Sequence, residues 1–368
     1  MMNVAGGLRP LAAFSSLGKI ARLFERAREY RKVKFLIPLL VVLASGLNAA
    51  TITIVDGTYD SFIRPGTRVF RVYFDSSHRI NDPTMPIVVF IHGGGWAGGS
   101  YGSPLGQPGT LAPGICTNNS TALCDLASRG YAVYSIDYTL TAPGVPENRW
   151  PAQWQDCECF LKFLAENAGH SVPGDPHQIV MMGHSAGSHL AAITTLAPHD
   201  AFPTVCSHKS VDYAIAGVVA PSVPDDLVAL YAASENSANR TAAGAIAGLL
   251  GCQPTNLDQA CVAKAKQASP THYVANGQPP VLVLSGMGDT TVPYKTQGLM
   301  EAAYANLRPP VFSNWIVYPK NFSHDLDLFY FVPCSSDPDP EPSPCGTAGR
   351  AFQDIQFFIQ SLNRFPPR

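Results

Sequence analysis

Three separated stretches of the 368-residue chain hold side chains that could act together on a carbonyl group. The first is Gly183-His184-Ser185-Ala186-Gly187, which follows the apolar run 179–182 and opens a helical run over 186–197 that stops at Pro198. A strand that enters a helix through so short a turn forces the central residue into a strained backbone conformation. Glycines two positions away on either side remove the clashes that would follow. Ser185 is therefore predicted to stand above the sheet as a nucleophile, and His184 beside it as a residue that touches substrate or forms hydrogen bonds. A bare GxSxG pattern is weak, and the strand-to-helix setting is what gives it weight.

The second stretch is His92-Gly93-Gly94-Gly95-Trp96, directly after the apolar run 87–91. Acyl transfer needs donors aimed at a developing oxyanion, and a run of glycines lets backbone N–H groups converge without side chains in the way. Gly94 and Gly95, with the N–H of Ala186, are the predicted donors. Trp96 and the loop 98–113 are expected to line the substrate path, and His92 to anchor the glycine run. The third set lies after two further apolar runs. Asp289 follows 281–284 and His324 follows 315–318, which gives the chain order Ser185, Asp289, His324. A serine needs a base to remove its proton, and the base needs a carboxylate to hold its tautomer. Asp289 is preferred over Asp325 and Asp327 because it occupies its own strand end, whereas those two are too close to His324 along the chain.

These residues must be carried by strand ends, and the pattern supplies them. Short apolar runs at 69–74, 87–91, 132–136, 179–182, 215–220, 281–284 and 315–318 alternate with helical patterns, which predicts an α/β fold with a mostly parallel central sheet covered by helices. Strands without polar alternation are expected where both faces of a sheet are buried. A composition of 46% hydrophobic and 14% charged residues excludes disorder and suits one large domain over residues 50–368. The stretch 221–270 breaks the rhythm and is predicted to be a small helical insertion over the C-terminal edge of the sheet, with 242–250 as either a lid or an ordinary packed helix.

Eight basic and two acidic residues precede residue 50, leaving 17 Lys and Arg against 25 Asp and Glu downstream. The body of the chain therefore lacks a basic nucleic-acid footprint. The basic residues Arg31, Lys32 and Lys34 come before an apolar stretch, 35–47, that ends in small residues. This reads as a secretory signal over 1–49, cleaved near Ala49 or Ala50, with an uncleaved membrane anchor as the alternative; the apolar stretch is short for a membrane span. Location outside the cytoplasm, secreted or periplasmic, is expected. All nine cysteines lie after that point. Cys116 with Cys124, Cys252 with Cys261, and Cys334 with Cys345 look like local bridges; one of Cys157 and Cys159 could pair with Cys206, leaving an odd thiol. No paired Cys-x-x-Cys spacing suggests a zinc site, and no metal or organic cofactor is expected.

On the motifs quoted, the chain resembles the α/β-hydrolases of the HGGG type, near the hormone-sensitive-lipase-like carboxylesterases and their acetyl and feruloyl esterase relatives. The resemblance runs from about residue 65 to the C-terminus. It takes in Asp137-Tyr138, Trp150-Pro151-Ala152-Gln153 with Asp156, and Ala268-Ser269-Pro270. It implies Ser185 as nucleophile, His324 as base, Asp289 as acid, an oxyanion hole from Gly94, Gly95 and Ala186, and a small or short-chain ester as substrate. The run from Gly183 to Ala191 is also similar to aryl formamidases, so an amidase with the same triad is one alternative, and an inactive binding module of the same fold is another. Two features depart from the family: His324 sits in Lys-Asn-Phe-Ser-His-Asp, and a Cys- and Pro-rich stretch, 334–345, follows it.

Overall fold

The computed structural model describes residues 51–61, 68–102, 122–255, 257–308, 313–318, 322–324 and 344–362. The expected signal segment, the Cys116 and Cys334–Cys345 pairings, Asp325 and Asp327 fall outside the described residues or their described side chains.

Eight strands form one sheet: β1 (Ile52–Tyr59), β2 (Arg68–Asp75), β3 (Pro86–Ile91), β4 (Ala132–Ile136), β5 (Asp175–Gly183), β6 (Ile215–Pro221), β7 (Val281–Gly286) and β8 (Ser313–Tyr318). Their order is β1-β2-β4-β3-β5-β6-β7-β8. β2 pairs antiparallel with both β1 and β4, and every pairing from β4 through β3 to β8 is parallel. The parallel strands run as unbroken apolar segments because both of their faces are covered. Ile87, Val89 and Ile91 of β3 point into one core while Val88 and Phe90 point into the other, and Ile179 with Met181 of β5 are split in the same way from Val180 and Met182. The side-chain period of two thus distributes a uniformly apolar strand between two cores.

Helices α1 (Ala122–Ser128), α2 (Ala152–Asn167), α3 (Ala186–Leu196), α4 (Leu227–Glu235), α5 (Thr241–Leu250), α6 (Gln259–Gln267), α7 (Leu299–Ala305) and α8 (Pro344–Leu362) cover the sheet. Trp154 and Phe160 of α2 and Leu190 and Ile193 of α3 pack in the larger core. Leu123 and Leu126 of α1 and Ile355, Phe358 and Ile359 of α8 close the opposite face. β1 was absent from the sequence expectation. Its residues, Ile-Thr-Ile-Val-Asp-Gly-Thr-Tyr, mix polar and apolar side chains because it is an edge strand, half-buried over most of its length.

The stretch 221–270 holds α4, α5 and α6. Asp226 caps α4 by accepting from the N–H groups of Val228 and Ala229, and Asp258 caps α6 by accepting from that of Cys261. α5 ends at Gly251 in the left-handed region, φ 72°. Ala242, Ala243, Ile246, Leu249 and Leu250 of α5 are buried, so this helix is packed along one side.

Cys252 and Cys261 stand at disulfide distance, as do Cys159 and Cys206. Cys124 is disulfide-bonded, and Cys157 is a buried free thiol. Among the described residues no helix is long and apolar enough to cross a membrane.

Candidate active site

The C-terminal ends of β3, β5, β7 and β8 bring the predicted groups to one edge of the sheet. At the end of β5, Ser185 has φ 53° and ψ −119°, a left-handed conformation that the turn imposes. The two flanking glycines are dictated by space. A Cβ on Gly187 would overlap the carbonyl oxygen of Ile91 and lie 2.6 Å from that of His92, and a Cβ on Gly183 would lie 2.6 Å from the backbone nitrogen of Ser188. The turn is tied down by the Ser185 N–H to Pro221 O (3.2 Å) and by the Ser188 hydroxyl to the same carbonyl (2.6 Å).

Ser185 Oγ lies 2.9 Å from His324 Nε2, and His324 Nδ1 lies 2.9 Å from Asp289 Oδ2. The Ser185 hydroxyl donates to the imidazole, whose other N–H donates to the carboxylate. Asp289 is 4% exposed, and its second oxygen accepts from the N–H groups of Thr291 and Val292 (2.9 and 2.8 Å), which fixes the carboxylate plane. Sequence reasoning missed Gln297. This buried side chain donates to Asp289 Oδ2 (3.3 Å) and accepts from the Ser285 hydroxyl (2.7 Å), which in turn accepts from the Trp315 indole N–H (2.8 Å). A glutamine eight residues past an acid carries no local signal; only the short turn over Tyr294–Thr296 returns it to the site.

Gly94 and Gly95 both have positive φ, 109° and 58°, and Ala97 and Gly98 close a turn onto Gly94 O (3.1 and 3.0 Å). Among the described residues, the N–H groups of Gly94, Gly95 and Ala186 donate to no other group. The glycine loop touches the nucleophile turn directly, since a Cβ on Gly93 would lie 2.9 Å from His184 O and 3.4 Å from Ser185 Cβ. His92 holds its own loop, donating from Nδ1 to Gly93 O (2.8 Å) with its ring stacked on Tyr138.

One expectation about a neighbour is corrected, and a second takes its hydrogen-bonding form. Trp96 does not line the substrate path: it is 2% exposed, and its indole N–H donates to His189 Nδ1 (3.3 Å) inside the larger core. Its backbone, at φ 59°, is bent by the glycine turn so that the ring swings inward. His184 is committed to the base, donating from Nε2 to the carbonyl of His324 (2.9 Å), so it holds the loop that carries the imidazole. His189, fully buried, donates to Ala268 O (2.6 Å). Burial pushes both His92 and His189 down to about 4, so neither is a candidate base at neutral pH.

The face of α5 that is not packed against α4 meets the glycine loop, where a Cβ on Gly95 would lie 3.3 Å from that of Ala245. A cavity of about 500 Å³ lies between them, lined by Gly95, Thr141, Arg149, Gly244, Ala245 and Gly248 among others. Asn239, just before the same helix, donates to Thr290 Oγ1 (3.3 Å) on the acid-bearing loop. The insertion therefore touches the site on both the oxyanion and the acid side.

Comparison with known proteins agrees with this architecture. The structure is similar to esterase B from Lactobacillus rhamnosis (TM-score 0.59, 18% identity, covering 95% of each chain). It is also similar to a truncated carbohydrate esterase from gut microbiota (TM-score 0.58, 20% identity, 86% of this chain and 98% of that one). These likenesses establish the α/β-hydrolase fold. In sequence, the chain is 32% identical over 130 residues to carboxylesterase NlhH of Mycobacterium tuberculosis, covering 35% of this chain and 34% of that protein. It is 33% identical over 113 residues to a probable isoprenylcysteine alpha-carbonyl methylesterase of rice, covering 30% and 22%. The chain thus spans about a third or less of the length of these relatives. The BD-FAE family model matches residues 72–304, well over half of the sequence, including the glycine loop, Ser185 and Asp289, and by that match the chain belongs to the BD-FAE family.

Proposed function

We propose that the protein is a serine hydrolase of carboxylic esters, working through an acyl-enzyme on small or short-chain substrates. The observation that carries this reading is the unbroken line of contacts from Ser185 Oγ through His324 to Asp289, each 2.9 Å long, beside three backbone N–H groups with no other acceptor among the described residues. Ser185 attacks the ester carbonyl while His324 Nε2 takes its proton, and Asp289 keeps the tautomer and stabilises the imidazolium. The N–H groups of Gly94, Gly95 and Ala186 receive the oxyanion charge. The tetrahedral adduct collapses, the C–O bond to the alcohol breaks, and His324 returns the proton to the leaving alkoxide. Water then repeats both steps on the acyl-enzyme and frees the acid.

The carboxylesterase names of the sequence relatives support the ester over the amide, and the modest size of the α4–α6 region supports short acyl groups. Purified protein should turn over p-nitrophenyl acetate and butyrate much faster than N-formylkynurenine. Faster turnover of the formamide would overturn the ester assignment.

Export belongs to the same proposal. It is supported by the basic and then apolar N-terminal sequence and by two cysteine pairs at disulfide distance. Expression with the full N-terminus should deliver a shortened chain outside the cytoplasm, read by fractionation and intact mass. A full-length chain retained in the cytoplasm would refute it.

A further inference from the structure

The cavity between the glycine loop and α5 has a chemistry that ester hydrolysis by the triad does not require. Its wall is built from small residues. At Gly244 and Gly248 an added Cβ would meet nothing within 4 Å, so their side of α5 faces open space. Neither Ser185 nor His324 nor Asp289 lines it; its link to the chemistry is Gly95, a predicted oxyanion donor. It is therefore placed for a part of the substrate remote from the scissile bond.

Among the described residues of that lining, Arg149 is the only charged one. Its backbone is fixed on both sides, with its own N–H on Pro146 O (3.1 Å) and the next N–H, of Trp150, on Leu249 O (2.9 Å) at the end of α5. Space for its side chain is reserved, because a Cβ on Gly251 would lie 2.6 Å from Arg149 Cδ. Among the described residues no carboxylate pairs with the guanidinium and no carbonyl accepts from it. The second cation nearby, Lys264, donates to Leu250 O (2.6 Å), and burial followed by the Arg149 charge lowers its proton affinity. The acid on this side, Asp258, caps α6 through one oxygen and lies by the Cys252–Cys261 pair, with no ion pair to Arg149. Arg149 therefore brings a half-buried positive charge with no described hydrogen-bond or ion-pair partner to the pocket wall, and a planar guanidinium recognises a carboxylate by two parallel hydrogen bonds.

We propose that this cavity is a subsite for a carboxylate carried by the ester substrate, with Arg149 as its ligand. The proposal rests on the esterase reading and narrows it to esters that bear an acid group away from the carbonyl under attack. The carboxylate can belong to the acyl or to the alcohol half, and matched pairs of substrates separate the two. p-Nitrophenyl hemiglutarate against p-nitrophenyl pentanoate tests the acyl side, and 4-acetoxybenzoate against phenyl acetate tests the alcohol side.

The quantity to measure is the ratio of kcat/KM for the charged ester to that for its neutral partner. In one of the two pairs this ratio should fall about tenfold in Arg149→Gln, mostly through KM, and be partly kept in Arg149→Lys. It should also fall with added salt in the wild type and not in Arg149→Gln. Gly248→Leu, at a helical position with room for the side chain, fills the pocket from α5 and should raise KM for the same charged ester. That variant keeps the test decisive if Arg149→Gln is poorly folded. Neutral esters turned over with both ratios unmoved by every variant would overturn the subsite while leaving the esterase reading intact. No hydrolysis of any of the four esters by the wild type would refute both.

Discussion

The catalytic edge and the α5 wall face each other across Gly95, and they are built in opposite ways. At the nucleophile turn a single added methyl group at Gly187 overlaps the main chain of β3, whereas at Gly244 and Gly248 it meets nothing. Backbone packing determines where Ser185 stands; open space on α5 leaves the substrate wall free to vary. Chemistry and specificity are thus assigned to regions with different tolerance for change.

The largest contrast should appear in rate. Ser185→Ala and His324→Ala should each lower kcat by about 10⁴-fold or more, and the double variant should be little worse than either, because the two groups act as one unit. Steady-state kinetics on p-nitrophenyl butyrate checks this, and additive losses would show that the two residues work separately.

Next in size is Gly187→Ala, which should cost about 3 kcal/mol or more by urea unfolding, since the clash is with backbone that cannot move aside. A loss under about 1 kcal/mol would mean the turn is looser than described.

Stability should also peak near pH 6.5. His92 and His189 have folded values lowered to about 4, so between there and 6.5 the unfolded chain binds protons that the folded one refuses, and stability falls as the pH drops. Each contributes a slope of about 1.4 kcal/mol per pH unit. Asp225, buried with its value raised to about 8, slopes the other way from 3.8 to 8; the two histidines oppose it and the burial-raised Asp137 on the acid side, and above 6.5 His199, raised by its hydrogen bond with Glu158, slopes with it. Unfolding at pH 5, 6.5 and 8 tests the shape, and Asp225→Asn should flatten the alkaline limb.

Gln297→Leu should reduce kcat about tenfold with KM nearly constant, because Asp289 loses a donor that orients it. A change in KM alone would place Gln297 outside the positioning of the acid. The smallest effect should come from the roomy wall: Gly248→Ala should stabilise the fold by about 0.5–1 kcal/mol, since alanine in a helix gains what glycine loses. Destabilisation there would mean the open space is occupied.

The sequence was most informative where local constraint is strongest. The buried parallel strands read as apolar runs because each has two covered faces, and Ser185, Asp289 and His324 were found because each follows such a run. β1 escaped notice because an edge strand does not need that pattern. Trp96 was misjudged because adjacency to the glycine run says nothing about which way a residue at φ 59° turns its ring. Gln297 and Arg149 were invisible for a different reason: their partners lie on other elements, and only the folded chain brings a glutamine to the acid or an arginine to the side of α5.

The central claim is that Ser185 is an activated nucleophile. The most direct test is intact-mass and peptide analysis after treatment with an alkyl fluorophosphonate. The account predicts one stoichiometric adduct, mapped to the peptide carrying Ser185, abolished in Ser185→Ala and formed far more slowly in His324→Ala. An unlabelled protein, or an adduct on another residue, would contradict it.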